Sequence, residues 1–246
     1  MARGNRSFAW DAFDPEAYLS HYYREPHADD DQVVALTAAA IAGCAPPTGG
    51  LDVVDVGTGP NLFPLLAALP SASRVTAWEF SRANVEWLRE ALQRNSLAPE
   101  WLHFWSIVRQ IRAPQVLPPD PLEALRAKVQ VEQGSIFDLP ARRFDAATMF
   151  FCAESITADP AEFKVACSRF AGCVRSGGLM LGAFLAGSEG YDVAGRRYPA
   201  VALTQSNIAA VFAGLADKVK VEAIGDRNAE IRSGYAGMVF LTARAR

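Results

Sequence analysis

The feature that most constrains this chain is the apolar run Leu51 to Val56 (LDVVDV), which leads directly into Gly57-Thr58-Gly59-Pro60. A short, nearly continuous apolar run bounded by glycines reads as a strand buried on both faces. A strand that passes through a glycine turn into a helix opens a βαβ unit, and that requires a parallel sheet with helices packed on it. Glycines let the backbone approach a ligand closely, and a helix start presents free N–H groups. In open parallel sheets, ligands bind beyond the carboxyl ends of the strands.

The rest of the chain repeats the alternation. Pro60 to Leu69 reads as a helix with proline in its first turn, Arg74 to Phe80 as a second strand, and Arg82 to Arg94 as a helix capped by Ser81. Phe144 to Phe151 is a buried strand, and Asp159-Pro160 opens a helix reaching about Val174. Ser176-Gly177-Gly178 reads as a turn before the strand Leu179 to Phe184, and Thr204 to Leu215 as a helix. Val219 to Ile224 and Met238 to Ala243 are two closing strands. Asp29-Asp30-Asp31 fits a helix N-terminus, where acids meet the dipole, better than a metal site. With 246 residues, the chain fits one domain. Two regions break the alternation: an N-terminal helical segment, residues 1–43, and an insertion, residues 95–128, that carries WLHFW and a proline-rich stretch. An insertion of that size makes a lid, a pocket wall or an interface, and Trp101, Phe104 and Trp105 are candidates to line a site or to anchor the segment.

Glu79 ends the second strand, 20 residues after Gly59. An acid in that register can accept hydrogen bonds from both hydroxyls of an adenosine ribose. A dinucleotide site wants Gly or Ala at the third fingerprint position, where this chain has Leu62; no Lys or Arg stands near the turn to meet a pyrophosphate. S-adenosylmethionine carries no phosphate and fits the turn better. A nicotinamide-dependent oxidoreductase stays open as a different class.

Charge and cysteine content narrow the partners. Lys plus Arg total 24 against 27 acids, for a net charge of −3, so nucleic acid is not an expected partner. The apolar stretches fall short of the roughly 20 residues that span a bilayer. The N-terminal segment lacks an apolar signal-type core, so a cytoplasmic location is expected. Cys44, Cys152, Cys167 and Cys173 have no CxxC spacing and read as buried free thiols in a reducing compartment; the three His form no cluster with them, so no metal is expected.

Four segments together resemble one known family: FDP with YLSHYY (Phe13 to Tyr23), DVVDVGTGPNLFPLL, WEFSRANVEWL and CVRSGGLMLGAFL. They are similar to the nicotinamide, phenylethanolamine and indolethylamine N-methyltransferases, and the likeness runs over nearly the whole chain. The resemblance implies a Rossmann-like class I methyltransferase fold, α/β, with a seven-stranded, mostly parallel sheet flanked by helices, an N-terminal helical lid and an insertion before the third strand. It implies S-adenosylmethionine as methyl donor and S-adenosylhomocysteine as product. The acceptor is a small molecule, methylated at an amine or heteroaromatic nitrogen. O-methylation of a phenol or acid, and a non-methylating binding or rearrangement role, are the alternatives. A monomer or weak homodimer is expected.

Carried over position by position, the family places Tyr18 over the substrate and Tyr23 at the cofactor carboxylate. Gly57, Thr58 and Gly59 meet the methionine part with Asn61 nearby, and Phe63 lines the pocket. Glu79 and Phe80 lie at the ribose with Asn84 beside them, Ser135 and Ile136 at the adenine, and Phe150 and Phe151 under the sulfonium. Tyr18, Tyr22, Glu154 and Tyr191 are the substrate candidates. No catalytic base is assigned. His21 lies on the expected lid and is a candidate proton acceptor on its near-neutral ordinary pKa alone. Two positions depart from the family. Ser135 stands where members commonly place an acid on the adenine amino group, with Asp138 three residues on; Ala183 stands where mammalian members hold the substrate nitrogen with an acid. Glu154, Glu189 and Asp192 are the nearby acids that could replace it.

Overall fold

The computed structural model describes residues 4–44, 50–225 and 231–246, so residues 1–3 of the expected N-terminal segment lie outside it. The run that opened the sequence argument is strand β1, Leu51–Val56. Its residues alternate between the two faces of the sheet: Val53 packs into one apolar cluster, and Val54 and Val56 into the other. Both faces are covered, which is why the run has no polar alternation.

Around β1 lie β2 (Ala72–Glu79), β3 (Val129–Gln133), β4 (Phe144–Phe150), β5 (Val174–Leu185), β8 (Ala216–Ile224) and β9 (Met238–Ala245). The sheet order is β3-β2-β1-β4-β5-β9-β8. The first five strands run parallel, and β9 runs antiparallel to both of its neighbours. The chain winds outward from β1 to β3 and then returns to the other side of β1, so the order reverses between β1 and β4, where such sheets form their binding crevice. The expected seven-stranded, mostly parallel architecture is present.

Local chemistry fixes the helices. Asp14 caps α1 (Pro15–Tyr22) through the Ala17 N–H, Ser81 caps α4 (Arg82–Gln93), and Asp159 caps α7 (Pro160–Gly172). The three acids of residues 29–31 fall in the first turn of α2 (Ala28–Ala42), and Thr204 with Asn207 forms a capping box on α8 (Gln205–Ala213).

Three local expectations are corrected. Helix α3 spans only Phe63–Ala68: Pro60, Asn61 and Leu62 belong to the turn before it, and the proline in the first helical turn is Pro64. Ser176-Gly177-Gly178 does not interrupt β5. The strand absorbs these residues as an irregularity in its pairing with β4, between Phe144 and Ala146. Cys44 is half-buried rather than buried, and its Sγ accepts a hydrogen bond from Arg244.

The insertion forms α5 (Pro99–Ile111) and α6 (Pro121–Lys128). Trp101, Phe104 and Trp105 are buried against α2 and α3, in one cluster with Tyr23 and Phe63. His103 on α5 meets Asp31 on α2 at 2.7 Å. The aromatics of the insertion therefore anchor it and line no part of the crevice. A hairpin that the strand pattern did not reveal, β6 (Tyr191–Val193) with β7 (Arg196–Tyr198), stands beyond β5. Trp10 and Phe13 pack on its Tyr191, Val193 and Tyr198. Among the described residues, no helix is long and apolar enough to cross a membrane.

Candidate active site

At the end of β1 the backbone turns through two left-handed glycines, Gly57 (φ 69°) and Gly59 (φ 61°), a conformation that costs other L-residues about 1–2 kcal/mol. A Cβ on Gly57 would lie 2.2 Å from Cys152 Sγ, whereas one on Gly59 would meet nothing nearer than the Gly57 carbonyl at 4.0 Å. The turn thus turns its first glycine inward to the protein and leaves the second facing open space. Beneath it, Thr148 donates to Asp55 at 2.5 Å and Thr58 donates to the Asp55 carbonyl at 3.1 Å. Burial pushes the Asp55 carboxyl up to about 6, against the pull of the Thr148 hydrogen bond.

Glu79, at the end of β2, is buried and held from three sides. The Gly59 N–H donates to Oε2 at 2.8 Å, and Oε1 accepts from the Ser81 N–H at 2.8 Å and Asn84 Nδ2 at 3.3 Å. Desolvation raises its pKa, and these donors pull it back. Asn84 Oδ1 is buried without a partner among the described residues. Two acceptor positions thus stay available side by side: the second lone pair of Glu79 Oε2 and the Asn84 amide oxygen.

These groups open on a cavity of about 840 Å³, open solvent at its mouth included. Of the residues expected at a cofactor, Tyr18, Tyr23, Gly57, Thr58, Gly59, Asn61, Glu79, Phe80, Asn84, Ser135, Ile136, Phe150 and Phe151 all line it. Phe63 does not: it is fully buried behind the wall, stacked on Phe150 at 5.9 Å. No Lys or Arg is among the lining residues. Ser135 Oγ caps a short turn over Ile136–Asp138, and its carbonyl takes the Trp78 indole N–H at 3.1 Å. Asp138 is exposed and lies outside the cavity. Asn5, Trp10 and Phe13 also line the cavity and had no local signal: the N-terminal segment reaches them across the molecule. There the Trp10 carbonyl accepts from Ser81 Oγ at 2.8 Å, Asp11 accepts from the Arg82 N–H at 2.9 Å, and Glu16 accepts from Trp87 Nε1 at 2.9 Å.

A second cavity of about 470 Å³ adjoins the first through Tyr18, Tyr23, Phe151, Ser155 and Tyr191, which line both. Tyr22, His27, Asp30, Leu185 and Arg232 complete much of it. Tyr18 and Tyr22 pack ring to ring at 4.8 Å, and burial raises the pKa of both phenols. Asp30 is buried, and desolvation together with Asp29 and Asp31 pushes it up to about 8. Burial also raises the Cys152 thiol well above its ordinary value, which leaves it without nucleophilic character.

Several acids expected near the substrate are elsewhere. Ala183 is fully buried in the sheet, between Phe150 of β4 and Phe240 of β9. Glu189 is exposed, and Asp192 is paired with Arg197 at 2.8 Å on the hairpin. Glu154 lines neither cavity. It is fully buried, accepts from the Leu185 N–H at 3.0 Å, and desolvation lifts it to about 7. Its folded-state pKa lies above the ordinary value near 4.5, so the folded protein favours the protonated acid. That stability is complete below about pH 4.5 and declines as pH rises through about 7. Asp30 and Asp55 act with the same sign. Glu154→Gln keeps an acceptor for Leu185 and removes the charge. Its Tm should fall less than the parent's between pH 5 and 8, gaining about 2–3 kcal/mol relative stability at the upper end. Parallel Tm profiles would place Glu154 in contact with water.

A family model described as the NNMT/PNMT/TEMT family matches residues 5–246. Phenylethanolamine N-methyltransferase of Sus scrofa is 29% identical over 214 residues, covering 79% of this chain and 74% of that protein. Nicotinamide N-methyltransferase of Sus scrofa is 22% identical over 209 residues, covering 80% and 79%. The fold is also that of magnesium protoporphyrin IX methyltransferase from Synechocystis PCC 6803, solved with bound SAM: the TM-score is 0.59 at 11% identity, covering 93% of this chain and 90% of that one.

Proposed function

This chain belongs to the NNMT/PNMT/TEMT family, and on that premise we propose that the larger cavity takes S-adenosylmethionine and the smaller one a nitrogen-bearing small molecule that receives the methyl group. The protein is an S-adenosylmethionine-dependent methyltransferase. The observation that carries the division of labour is a cavity that places a buried carboxylate beside an orphaned amide oxygen and has no Lys or Arg in its lining. That donor and acceptor set fits a ribose without phosphates. Glu79 Oε2 and Asn84 Oδ1 would each accept one ribose hydroxyl, the open face of Gly59 would admit the methionine part, and Trp78, Gly134 and Ile136 would flank the adenine.

When bound, S-adenosylmethionine supplies an electrophilic methyl: the acceptor lone pair forms the new N–CH3 bond as the S–CH3 bond breaks with its electron pair staying on sulfur. The residues of this chain contribute alignment and exclusion of water. Aromatic faces of Tyr18, Phe151 and Tyr191 line the junction and favour positive charge there. The phenols, kept protonated by burial, do not act as bases, and an uncharged nitrogen needs none before attack. Its proton, where it has one, leaves afterwards to water. Incubation with methyl-labelled S-adenosylmethionine and a panel of heteroaromatic amines, phenols and small acids tests the function. Labelled N-methyl product is expected; label on oxygen alone would replace the nitrogen reading.

The N-terminal segment acts as a lid in this proposal. It closes the cavity with Asn5, Trp10, Phe13 and Tyr18; hydrogen bonds to residues 81, 82, 87 and 162 and the packing of Trp10 and Phe13 on the hairpin hold its first part, and Leu19 and Tyr23 anchor its far end in the core. A bound ligand would add surface under those aromatics, so hydrogen exchange across residues 8–31 should slow on adding S-adenosylhomocysteine. Equal exchange with and without it would make the segment a fixed part of the wall.

A further inference from the structure

The second cavity holds a charge that the family resemblance does not call for. Arg232 follows β8 and lines this cavity, not the larger one. Its guanidinium lies over the ring of Tyr191, 5.0 Å from the centroid, and its Nη2 donates to Ser155 Oγ at 3.1 Å. Its Nε is buried and has no partner among the described residues. No carboxylate lies within ion-pairing distance of it among those residues, Glu154 included. An aromatic plane below and a hydroxyl at one nitrogen hold the guanidinium in place. The free Nε–H and the remaining Nη2–H form one edge of the fork, the edge that grips a carboxylate through two parallel hydrogen bonds.

The wall around that edge suits the body of an aromatic acid. Tyr18, Tyr22, Tyr23 and Phe151 supply ring faces, and Leu185 and Met238 supply apolar surface. The acid in the cavity, Asp30, is held protonated below about pH 8 by burial and its acidic neighbours, so at neutral pH it does not cancel the guanidinium. The position where mammalian relatives are expected to carry an acid for the substrate nitrogen is Ala183, buried in the sheet. The cavity is therefore built around a cation where a cationic amine would need an anion.

We propose that the acceptor taken by this site is a small aromatic or heteroaromatic molecule bearing a carboxylate, which Arg232 binds along its Nε–Nη2 edge while the ring packs among Tyr18, Tyr22 and Phe151. This rests on the methyltransferase reading above and names the chemical class of its acceptor. Arg232 is a substrate-binding residue in this proposal, and it leaves the methyl donor alone.

Matched pairs that differ only in the charged group test it: pyridine-3-carboxylate against its amide, benzoate against benzamide, and indole-3-acetate against its amide. Binding is measured by calorimetry to the full chain at pH 7, with and without saturating S-adenosylhomocysteine. In at least one pair the carboxylate should bind about 10- to 100-fold more tightly than the amide, as expected of a charged, two-pronged contact. Arg232→Gln should erase that preference and Arg232→Lys should restore part of it, with S-adenosylhomocysteine affinity unchanged in both. For a carboxylate that is methylated, Arg232→Gln should raise KM and spare kcat. Carboxylates that fail to outbind their amides in every pair, or no binding by any probe, would overturn the proposal. So would an equal loss of S-adenosylhomocysteine affinity in Arg232→Gln, because Arg232 would then serve the cofactor's own carboxylate. The methyltransferase reading fails by a different result, absence of S-adenosylmethionine and S-adenosylhomocysteine binding to the parent protein.

Discussion

Glu79→Ala will bind S-adenosylmethionine about 10- to 100-fold more weakly than the parent, because one ribose hydroxyl loses a charged acceptor worth about 1.5–3 kcal/mol. The loss has a second source in the structure. The Gly59 and Ser81 N–H groups both donate to this carboxylate, so its removal leaves two backbone donors without a partner and loosens the turn that shapes the cavity. Glu79→Gln separates the two. It keeps an acceptor for one N–H but turns an amide N–H toward the other, and it removes the charge. It should retain more stability than Glu79→Ala and still bind weakly. Calorimetric titration with S-adenosylmethionine, paired with thermal melts, checks both; a folded alanine variant with parental affinity would remove Glu79 from the site.

Gly57→Val will cost stability first and binding second. Although the family resemblance puts the Gly57 backbone at the methionine part, a Cβ here points away from it, into Cys152, 2.2 Å from Sγ and 2.8 Å from its Cβ. Left-handed backbone contributes about 1–2 kcal/mol and overpacking about 1–3 kcal/mol, so a loss of about 2–5 kcal/mol follows for the smaller Ala, and more for a β-branched Val. Cys152→Ala in the Gly57→Ala background should recover part of the packing cost, because it removes the sulfur and leaves the Cβ contact. Gly59→Ala is the contrast. Its Cβ projects into open space, so it carries only the backbone cost to stability while intruding where the methionine part would lie. Denaturant melts of the four variants test this order; Gly57→Val with a parental melting curve would contradict the inward-facing glycine.

Sequence alone determined the parts of this protein whose physics is local. An apolar run running into GTGP could only be a doubly covered strand entering a helix, and Glu79 stood in the register that a second parallel strand would bring beside Gly59. Ser81 and Asp159 announced their helices because each satisfies an N–H group two or three residues away. Most expected cofactor residues line one cavity because they sit at strand ends or just beyond, where the parallel topology gathers them. What only the tertiary structure decided depends on partners far apart in the chain. Phe63 and Trp101 are aromatic either way, and only packing put both in the core rather than on the crevice. Glu154 and Asp30 are ordinary acids in sequence; burial enclosed the first away from both cavities, lifting it to about 7, and made the second a protonated lining group. Arg232 carries no motif, since its meaning comes from Tyr191, 41 residues away, and Ser155, 77 residues away. The proposed binding role of this guanidinium rests on the aromatic plane beneath it and on the lack of a carboxylate partner among the described residues, and the first of these is not written in the residues beside it.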